Sequence, residues 1–422
     1  MRLLYTIALF LLLPYIFFRL LWRSRRQPEY LRHLGERFGF YTVRSGKPVV
    51  WLHAVSVGET RATQNLVRRL QADYPSHQIL LTHTTPTGRT AGEQLFGDSV
   101  MRVYLPYDYP FAVSNFLRRF RPQLGILMET EIWFNLIHAC HVSNMPLLLL
   151  NARMSEKSAR GYARFAQLTR NALNELTGIA AQTADDATRL TKLGAEDVSV
   201  MGNLKFDIEA PAAMLGLGKQ LRARFGATRR IFLAASTREG EEALLVDALK
   251  SVHIPGLLLV VVPRHPQRFA AVANLLEQNG ITFQRRSENR DVSAETQVVL
   301  GDSMGEMFAY YAAADLAFIG GSLLPYGGQN LIEACAAGTP VLVGPHTYNF
   351  AEATRMAVNA GAAAQLRDAD EVASEAQRLL GTPGALSMMR EQCAGFVEHN
   401  RGATDTSLQI ISSLLNPDAG PV

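Results

Sequence analysis

The chain has 422 residues, 48% of them hydrophobic and 19% charged, which argues against a disordered, collagen-like or coiled-coil protein and predicts two or three domains. Its 42 basic and 38 acidic side chains leave a net charge of +4, too mild to imply nucleic-acid binding. The three cysteines, Cys140, Cys335 and Cys393, are odd in number and far apart, so neither a disulfide framework nor a structural zinc site is expected, and a reducing compartment fits best.

Residues 3–18 read LLYTIALFLLLPYIFF. Continued to Trp22, the run has about the 20 residues that cross a bilayer as a helix. No small-x-small cleavage site follows, so the segment is expected to stay on as an anchor. Only Arg2 precedes it, whereas Arg23, Arg25, Arg26, Arg32 and Arg37 follow. The positive-inside rule then places the remainder in the cytoplasm, with residues 1–22 as a single-pass anchor and 23–47 as a basic juxtamembrane segment.

From Pro48 onward short apolar runs alternate with longer amphipathic stretches, the rhythm of βα units. Strands are expected at 49–53, 79–82, 102–104, 124–128, 147–151 and 178–181. A second series follows at 231–235, 257–262, 296–300, 316–319 and 341–343. Continuous Val/Ile/Leu runs of this kind mark parallel strands covered on both faces. Pro and Gly interrupt the pattern near 203–218. The fold class is therefore α/β: a Rossmann-like domain over 48–203, a linker over 204–218, a second such domain over 219–415, and a cleft lined by the carboxyl ends of both sheets. Whether the helices expected around 387–415 pack on the first or the second domain is left open by the pattern.

At those strand ends lie the chemical groups. After the first strand, the segment 53–60 (HAVSVGET) turns into a helix and puts Glu59 in its first turn, either as a functional carboxylate or merely as a complement to the helix dipole. Glu129 and Glu131 follow the strand at 124–128, where acids also serve as helix caps. In the second domain Gly320, Gly321, Gly327 and Gly328 follow a strand and precede a helix carrying Glu333 about one turn in, a pattern offering backbone N–H groups to a phosphate and a carboxylate to a ribose. It matches neither the dinucleotide fingerprint nor a P-loop. Arg264, between Pro263 and the His265-Pro266 pair, is a cation held at a strand end. Arg118, Arg119 and Arg121 are candidates for a basic membrane-proximal face.

Taken together these segments resemble the 3-deoxy-D-manno-oct-2-ulosonic acid (Kdo) transferases, membrane-anchored enzymes that add Kdo to the lipid A precursor. The resemblance covers nearly the whole chain. It rests on HAVSVGET (53–60), TPTG (85–88), YLPYD (104–108), METEIW (128–133), NARMS (151–155), GNLKFD (202–207), STREGEE (236–242), VPRHPQRF (262–269), GDSMGEM (301–307), GGSLLPYGGQNLIEA (320–334) and GPHTYNF (344–350). Phe134 and Leu331 stand where the family often has Pro. The resemblance implies the two-domain GT-B fold and an inverting transfer of Kdo from CMP-Kdo to a tetra-acylated disaccharide bisphosphate, lipid IVA, at the cytoplasmic side of the bacterial inner membrane. It implies Glu59 as the general base, with Glu129 and Lys205 stabilising charge. Donor contacts map to Pro263, Arg264, Met304, Gly305, Glu306, Asn330, Leu331, Ile332 and Glu333. No cofactor or metal is expected, because the leaving group carries a single phosphate and the only Asp-x-Asp, at 368–370, looks like a helix start. The rival readings are a GT-B enzyme using a UDP-sugar on a lipid acceptor and an inactive membrane-tethered nucleotide-binding protein.

Overall fold

The computed structural model describes residues 1–25 and 27–416; Arg26 of the expected basic segment lies outside the described residues. Two compact units emerge, one of residues 1–207 together with the chain from 401, the other of residues 208–400.

The first unit carries a seven-stranded sheet of β1 (Val49–His53), β2 (Gln78–His83), β3 (Met101–Tyr104), β4 (Pro122–Met128), β5 (Leu147–Ala152), β6 (Gly178–Ala181) and β7 (Val198–Val200), in the order β3-β2-β1-β4-β5-β6-β7. The second carries β8 (Ile231–Thr237), β9 (Leu258–Pro263), β10 (Phe283–Arg285), β11 (Val298–Leu300), β12 (Leu316–Ile319), β13 (Val341–Val343) and β14 (Ala363–Gln365), in the order β10-β11-β9-β8-β12-β13-β14. Every pairing is parallel. All residues of β1 and β9 are buried, as strands clothed by helices on both faces must be. Chain order reverses between β1 and β4 in one sheet and between β8 and β12 in the other, so each unit has a switch point, the place at which open parallel sheets commonly bind their ligands.

All eleven expected strands form. The sequence pattern missed β7, β10 and β14, three residues each, and each lies at a sheet edge. A strand that short shows too little alternation to register as a pattern. The C-terminal helices divide between the units. Helix Pro383–Asn400 belongs to the second unit, whereas helix Ala403–Leu415 returns to the first, where Ala403, Leu408 and Ile411 join the core formed by Val50, Leu52, Leu66 and Ile126. The second unit thus ends near residue 400 rather than at 415. Both chain crossings meet at Asp207, whose carboxylate accepts the backbone N–H of Gly402 at 2.8 Å and that of Thr404.

One helix among the described residues, Arg2–Ser24, is long and apolar enough to cross a membrane. Its outer face exposes Leu3, Leu4, Leu11, Phe18 and Trp22. Its other face touches the first unit: the Tyr5 hydroxyl donates to Asp108 at 3.0 Å, the Thr6 hydroxyl to Asn135 at 3.1 Å, and the Tyr109 hydroxyl to the Leu9 carbonyl at 2.8 Å.

A carboxylate that accepts two backbone N–H groups is worth about 1.5–3 kcal/mol per bond when removal leaves the donors unpaired. Asp207→Ala is therefore expected to lower the urea midpoint of the first unit clearly, and Asp207→Asn, which keeps one acceptor, to lower it less. Equal midpoints for both variants and the parent show that the crossing does not depend on this residue.

Candidate active site

In the first unit, β1 and β4 are neighbours, and their carboxyl ends bring the acids together. Ser56 caps helix Val57–Ala62, its hydroxyl accepting Glu59 N–H at 3.3 Å and donating to Glu59 Oε1 at 2.8 Å, while Glu59 Oε2 accepts Val55 N–H at 2.8 Å. Glu59 thus pairs with the hydroxyl of its own N-cap and with the N–H of the residue before it, so it does have a structural task. Two donors occupy only part of a carboxylate's acceptor capacity, and room for a third remains. Burial, then the neighbouring charge of Glu129 and to a lesser degree Glu131, pushes the Glu59 carboxyl above its ordinary range against those hydrogen bonds. The loop is held from outside by the TPTG segment: Thr85 donates to the Val55 carbonyl at 2.8 Å, and at Gly88 a Cβ would stand 2.7 Å from that same oxygen. Only glycine fits there.

Glu129 has a left-handed backbone, φ 58°, a costly conformation for a residue with a side chain. Its carboxylate meets Lys205 Nζ at 2.9 Å, 76 residues away in sequence. Lys205 is aimed by its own loop. Leu204 N–H donates to Asn151 Oδ1 at 3.1 Å, Gln182 donates to the Asn151 carbonyl at 3.0 Å, and Asn203 donates to Gln182 at 2.9 Å. The NARMS and GNLKFD segments are thus one hydrogen-bonded support. Glu131 faces elsewhere: Trp133 Nε1–H donates to its Oε2 at 2.6 Å, and His53 Nε2 lies 3.8 Å from the same oxygen. Burial raises the Glu131 carboxyl, but the His53 and Trp133 contacts prevail and hold it below the usual range. Neither acid serves as the cap of the helix that follows. Asp108 of YLPYD does that, accepting Asn135 N–H at 2.9 Å and Leu136 N–H at 2.8 Å, and burial raises its own carboxyl to about 6. Because Asp108 makes the cap and Phe134 is the first helical residue, where Pro is favoured but not required, the departure from Pro at 134 leaves the helix start intact.

In the second unit the carboxyl ends of β8, β9, β11 and β12 gather the remaining candidates. Arg264 follows β9 directly and its N–H donates to the Thr237 carbonyl at 3.0 Å. Arg238 and Arg264 both act on His265, which burial and then their charges hold below its ordinary range. The turn after β12 is fixed by the fully buried Glu241, which accepts Arg238 N–H at 2.9 Å, Gly321 N–H at 2.6 Å and Leu323 N–H at 2.9 Å. At Gly320 a Cβ would sit 2.5 Å from the Ser236 carbonyl. Glu333 is the second residue of helix Ile332–Ala336, not a turn into it, and this helix has only five residues. So short a helix has little dipole, and the turn's N–H groups at Gly321 and Leu323 are taken by Glu241, so the arginines are the favourable charges for an anion at this edge. Asn330 Oδ1 accepts Ile332 N–H at 3.1 Å, and its amide donates to Glu333 at 3.1 Å, so the pair is pre-set. Leu331 is the N-cap residue, buried. Met304 is exposed, Gly305 has φ 80°, and Glu306 is held by Arg286 and Ser303. Pro263 ends β9 and is buried.

Residues 32–208 match the family described as 3-deoxy-D-manno-octulosonic-acid transferase (kdotransferase), and residues 232–395 match glycosyl transferases group 1. The 3-deoxy-D-manno-octulosonic acid transferase of Bordetella pertussis is 43% identical over 97% of this chain and 99% of its own length. The chain belongs to the Kdo transferase family. The Haemophilus influenzae member is 38% identical over 99% of this chain and 98% of its own. Among solved structures, Anabaena Alr3699/HepE in complex with UDP superposes with a TM-score of 0.55 at 15% identity, covering 87% of this chain and 99% of that one. That likeness bears on fold alone, and it is of the GT-B type. This Kdo transferase is a glycosyltransferase of lipopolysaccharide biosynthesis with two parallel seven-stranded sheets.

Within the first unit the structure brings Glu59, Glu129 and Lys205 to one sheet edge, and within the second it does the same for the donor candidates. Sequence reasoning gave no role to His53, Trp133, Asn151, Gln182 or Glu241. A histidine ending a wholly buried strand was a usable signal for His53. The others support partners that only the fold brings near. Of the arginines proposed for a basic face, Arg119 is engaged by the carbonyls of Thr42 and Val43 and Arg118 by Asn115.

Removing the Glu241 carboxylate strands three buried donors, at about 1–3 kcal/mol each. Glu241→Ala is expected to destabilise the second unit and to abolish nucleotide binding at temperatures where the first unit remains folded, measured by differential unfolding and calorimetry with CMP. Retention of parental CMP affinity means the turn after β12 is not part of the nucleotide site.

Proposed function

We propose that this enzyme transfers Kdo from CMP-Kdo to the lipid A precursor lipid IVA with inversion, and that Glu59 is the general base. The observation that carries the reading is the environment of Glu59: a half-buried carboxylate at the β1/β4 switch point, raised in proton affinity by desolvation and then by the charges of Glu129 and Glu131, and given only uncharged donors by its own loop. A base must take a proton from an acceptor hydroxyl as that oxygen attacks the oxocarbenium-like anomeric carbon, and one carboxylate suffices for an inverting enzyme. Glu129 holds Lys205 in place, and Lys205 offsets negative charge in the transition state. In the second unit Pro263, Arg264, Met304, Gly305, Glu306 and Asn330 through Glu333 hold the cytidine monophosphate moiety. Asn330 presets Glu333 for the ribose, and Arg264 serves the phosphate. A single phosphate leaves with less charge than a pyrophosphate, and fixed cations serve it without a divalent metal. Asp368 caps helix Ala369–Gly381, so the one Asp-x-Asp has a structural task of its own.

The apolar helix Arg2–Ser24 is the membrane attachment, a single-pass anchor at the inner membrane with the catalytic units on the cytoplasmic side, as the arginines after it favour. Crossing the bilayer gives up its three hydrogen bonds to Asp108, Asn135 and Tyr109, at about 1 kcal/mol each. Each Leu, Ile and Phe of the run gains roughly 0.3–0.6 kcal/mol in the bilayer, which summed over the helix exceeds that loss.

Purified enzyme incubated with CMP-Kdo and lipid IVA is expected to give a Kdo-lipid mass increment, in excess EDTA as well as without it, at constant lipid dispersion. Glu59→Gln is expected to keep CMP affinity and lose turnover by ~10²-fold or more. Normal turnover in that variant returns Glu59 to its capping role alone, and activity restored only by magnesium overturns the metal-free reading. Deletion of residues 1–22 is expected to release part of the protein from membranes. Complete retention after a high-salt wash places the attachment elsewhere.

A further inference from the structure

Three carboxylates crowd the edge of the first sheet, and their partners differ. Glu129 has the ammonium of Lys205 at 2.9 Å. Glu59 has only the hydroxyl of Ser56 and a backbone N–H. Glu131 has the indole of Trp133 and, 3.8 Å from the same oxygen, the Nε2 of His53.

His53 is fully buried, and its Nε2 has no hydrogen-bond partner. The other ring nitrogen is tied down: Nδ1 lies 3.1 Å from the Thr82 carbonyl oxygen and 2.9 Å from the Thr82 hydroxyl, which also accepts Trp51 Nε1–H at 2.8 Å. The carbonyl can only accept, and the Thr82 hydroxyl has the Leu52 carbonyl at 3.5 Å to take its own proton, so the two contacts together call for a proton on Nδ1. A neutral ring with its proton there would aim the Nε2 lone pair at the carboxylate of Glu131, two acceptors face to face with the ring fully buried. A second proton, on Nε2, turns the same geometry into attraction between an imidazolium and a carboxylate.

We propose that His53 carries that second proton and is the cationic partner of Glu131, as Lys205 is of Glu129, which leaves Glu59 as the one carboxylate of the three without a cation of its own. His53 is on this view a positioning residue: it does not touch substrate, and it sets how much of the Glu131 charge Glu59 feels. The inference rests on Glu59 being the base. The groups that act on the pair are Thr82 and His83 from β2, Trp133 from the segment after β4, Tyr162, and Glu59 from the loop after β1; Glu129 acts on Glu59 and is itself paired with Lys205. His83 is neutral, because burial holds it down to about 3, so it supplies no competing cation. The Tyr162 hydroxyl donates to the Thr130 carbonyl at 3.4 Å and stays protonated, for burial and then the Glu131 charge push it up to about 12.

The test uses two variants with opposite expected signs in the full-length enzyme. His53→Asn removes the cation and leaves Glu131 uncompensated beside Glu59. The base then binds its proton more tightly, and the acidic limb of the kcat/KM profile moves to higher pH by roughly one unit. Glu131→Gln removes the anion, and the limb moves to lower pH. In both, the KM for CMP-Kdo stays near the parent value, since the donor residues belong to the second unit. Limbs that stay put, or that move in the same direction in both variants, overturn the proposal. A second readout does not depend on Glu59: nitrogen NMR of histidine-labelled enzyme at neutral pH should show both ring nitrogens of His53 protonated in the parent and only one in Glu131→Gln. A neutral ring in the parent overturns the ion pair whichever residue is the base, whereas an intact NMR signature with full turnover in Glu59→Gln indicts the base assignment instead.

Discussion

Like charges brought to within interacting distance at the β1/β4 switch point are the constraint on which the first unit is organised. Parallel pairing forces the loops after β1 and β4 to leave the sheet side by side, so Glu59 and the Glu129/Glu131 pair cannot avoid one another. An uncompensated cluster of this kind in a half-buried setting would protonate or push the loops apart. The chain answers with a lysine brought from 76 residues away and with the Ser56 hydroxyl and Val55 N–H that hold Glu59. The left-handed backbone at Glu129 fits the same logic: strain at one residue turns its carboxylate toward Lys205, and the Asn151–Gln182–Asn203 support keeps Lys205 there to receive it.

What the sequence made legible follows from range. Buried parallel strands advertise themselves, because covering on both faces favours unbroken Val, Ile and Leu, and Leu147–Leu150 of β5 and Leu258–Val262 of β9 are such runs. A three-residue edge strand such as β7 or β14 carries no such demand. Motif segments pointed to candidate sites for the same local reason: a glycine turn or a Pro-flanked arginine has to be where the backbone needs it. The site's electrostatics was not legible, because it depends on pairs such as Glu129 with Lys205 whose separation in sequence hides their separation in space. Sequence pattern also left Glu129 and Glu131 equivalent. Their φ angles and partners divide them, one to lysine and one to histidine and tryptophan.

Several motif residues that look catalytic by position turn out to hold catalytic candidates. Glu241 fixes the glycine turn after β12, Asp108 caps the helix that begins at Phe134, and Thr85 with Gly88 braces the loop of Glu59. A carboxylate that accepts two or three backbone N–H groups is rigid, and rigidity of the support is what keeps a base or a cation within hydrogen-bond tolerance of its target.

The GNLKFD segment combines both kinds of task within six residues. Asn203 and Leu204 bind the Asn151 support, Lys205 reaches Glu129, and Asp207 receives the returning chain at Gly402 and Thr404. The last helix then covers Leu66, Val50 and Ile126 in the core of the first unit. A chain that ended at residue 400 would complete the second sheet and still leave that core open and Asp207 without its donors. The C-terminal helix is therefore part of what holds the lysine loop, and so of the site, although it contributes no functional side chain to it.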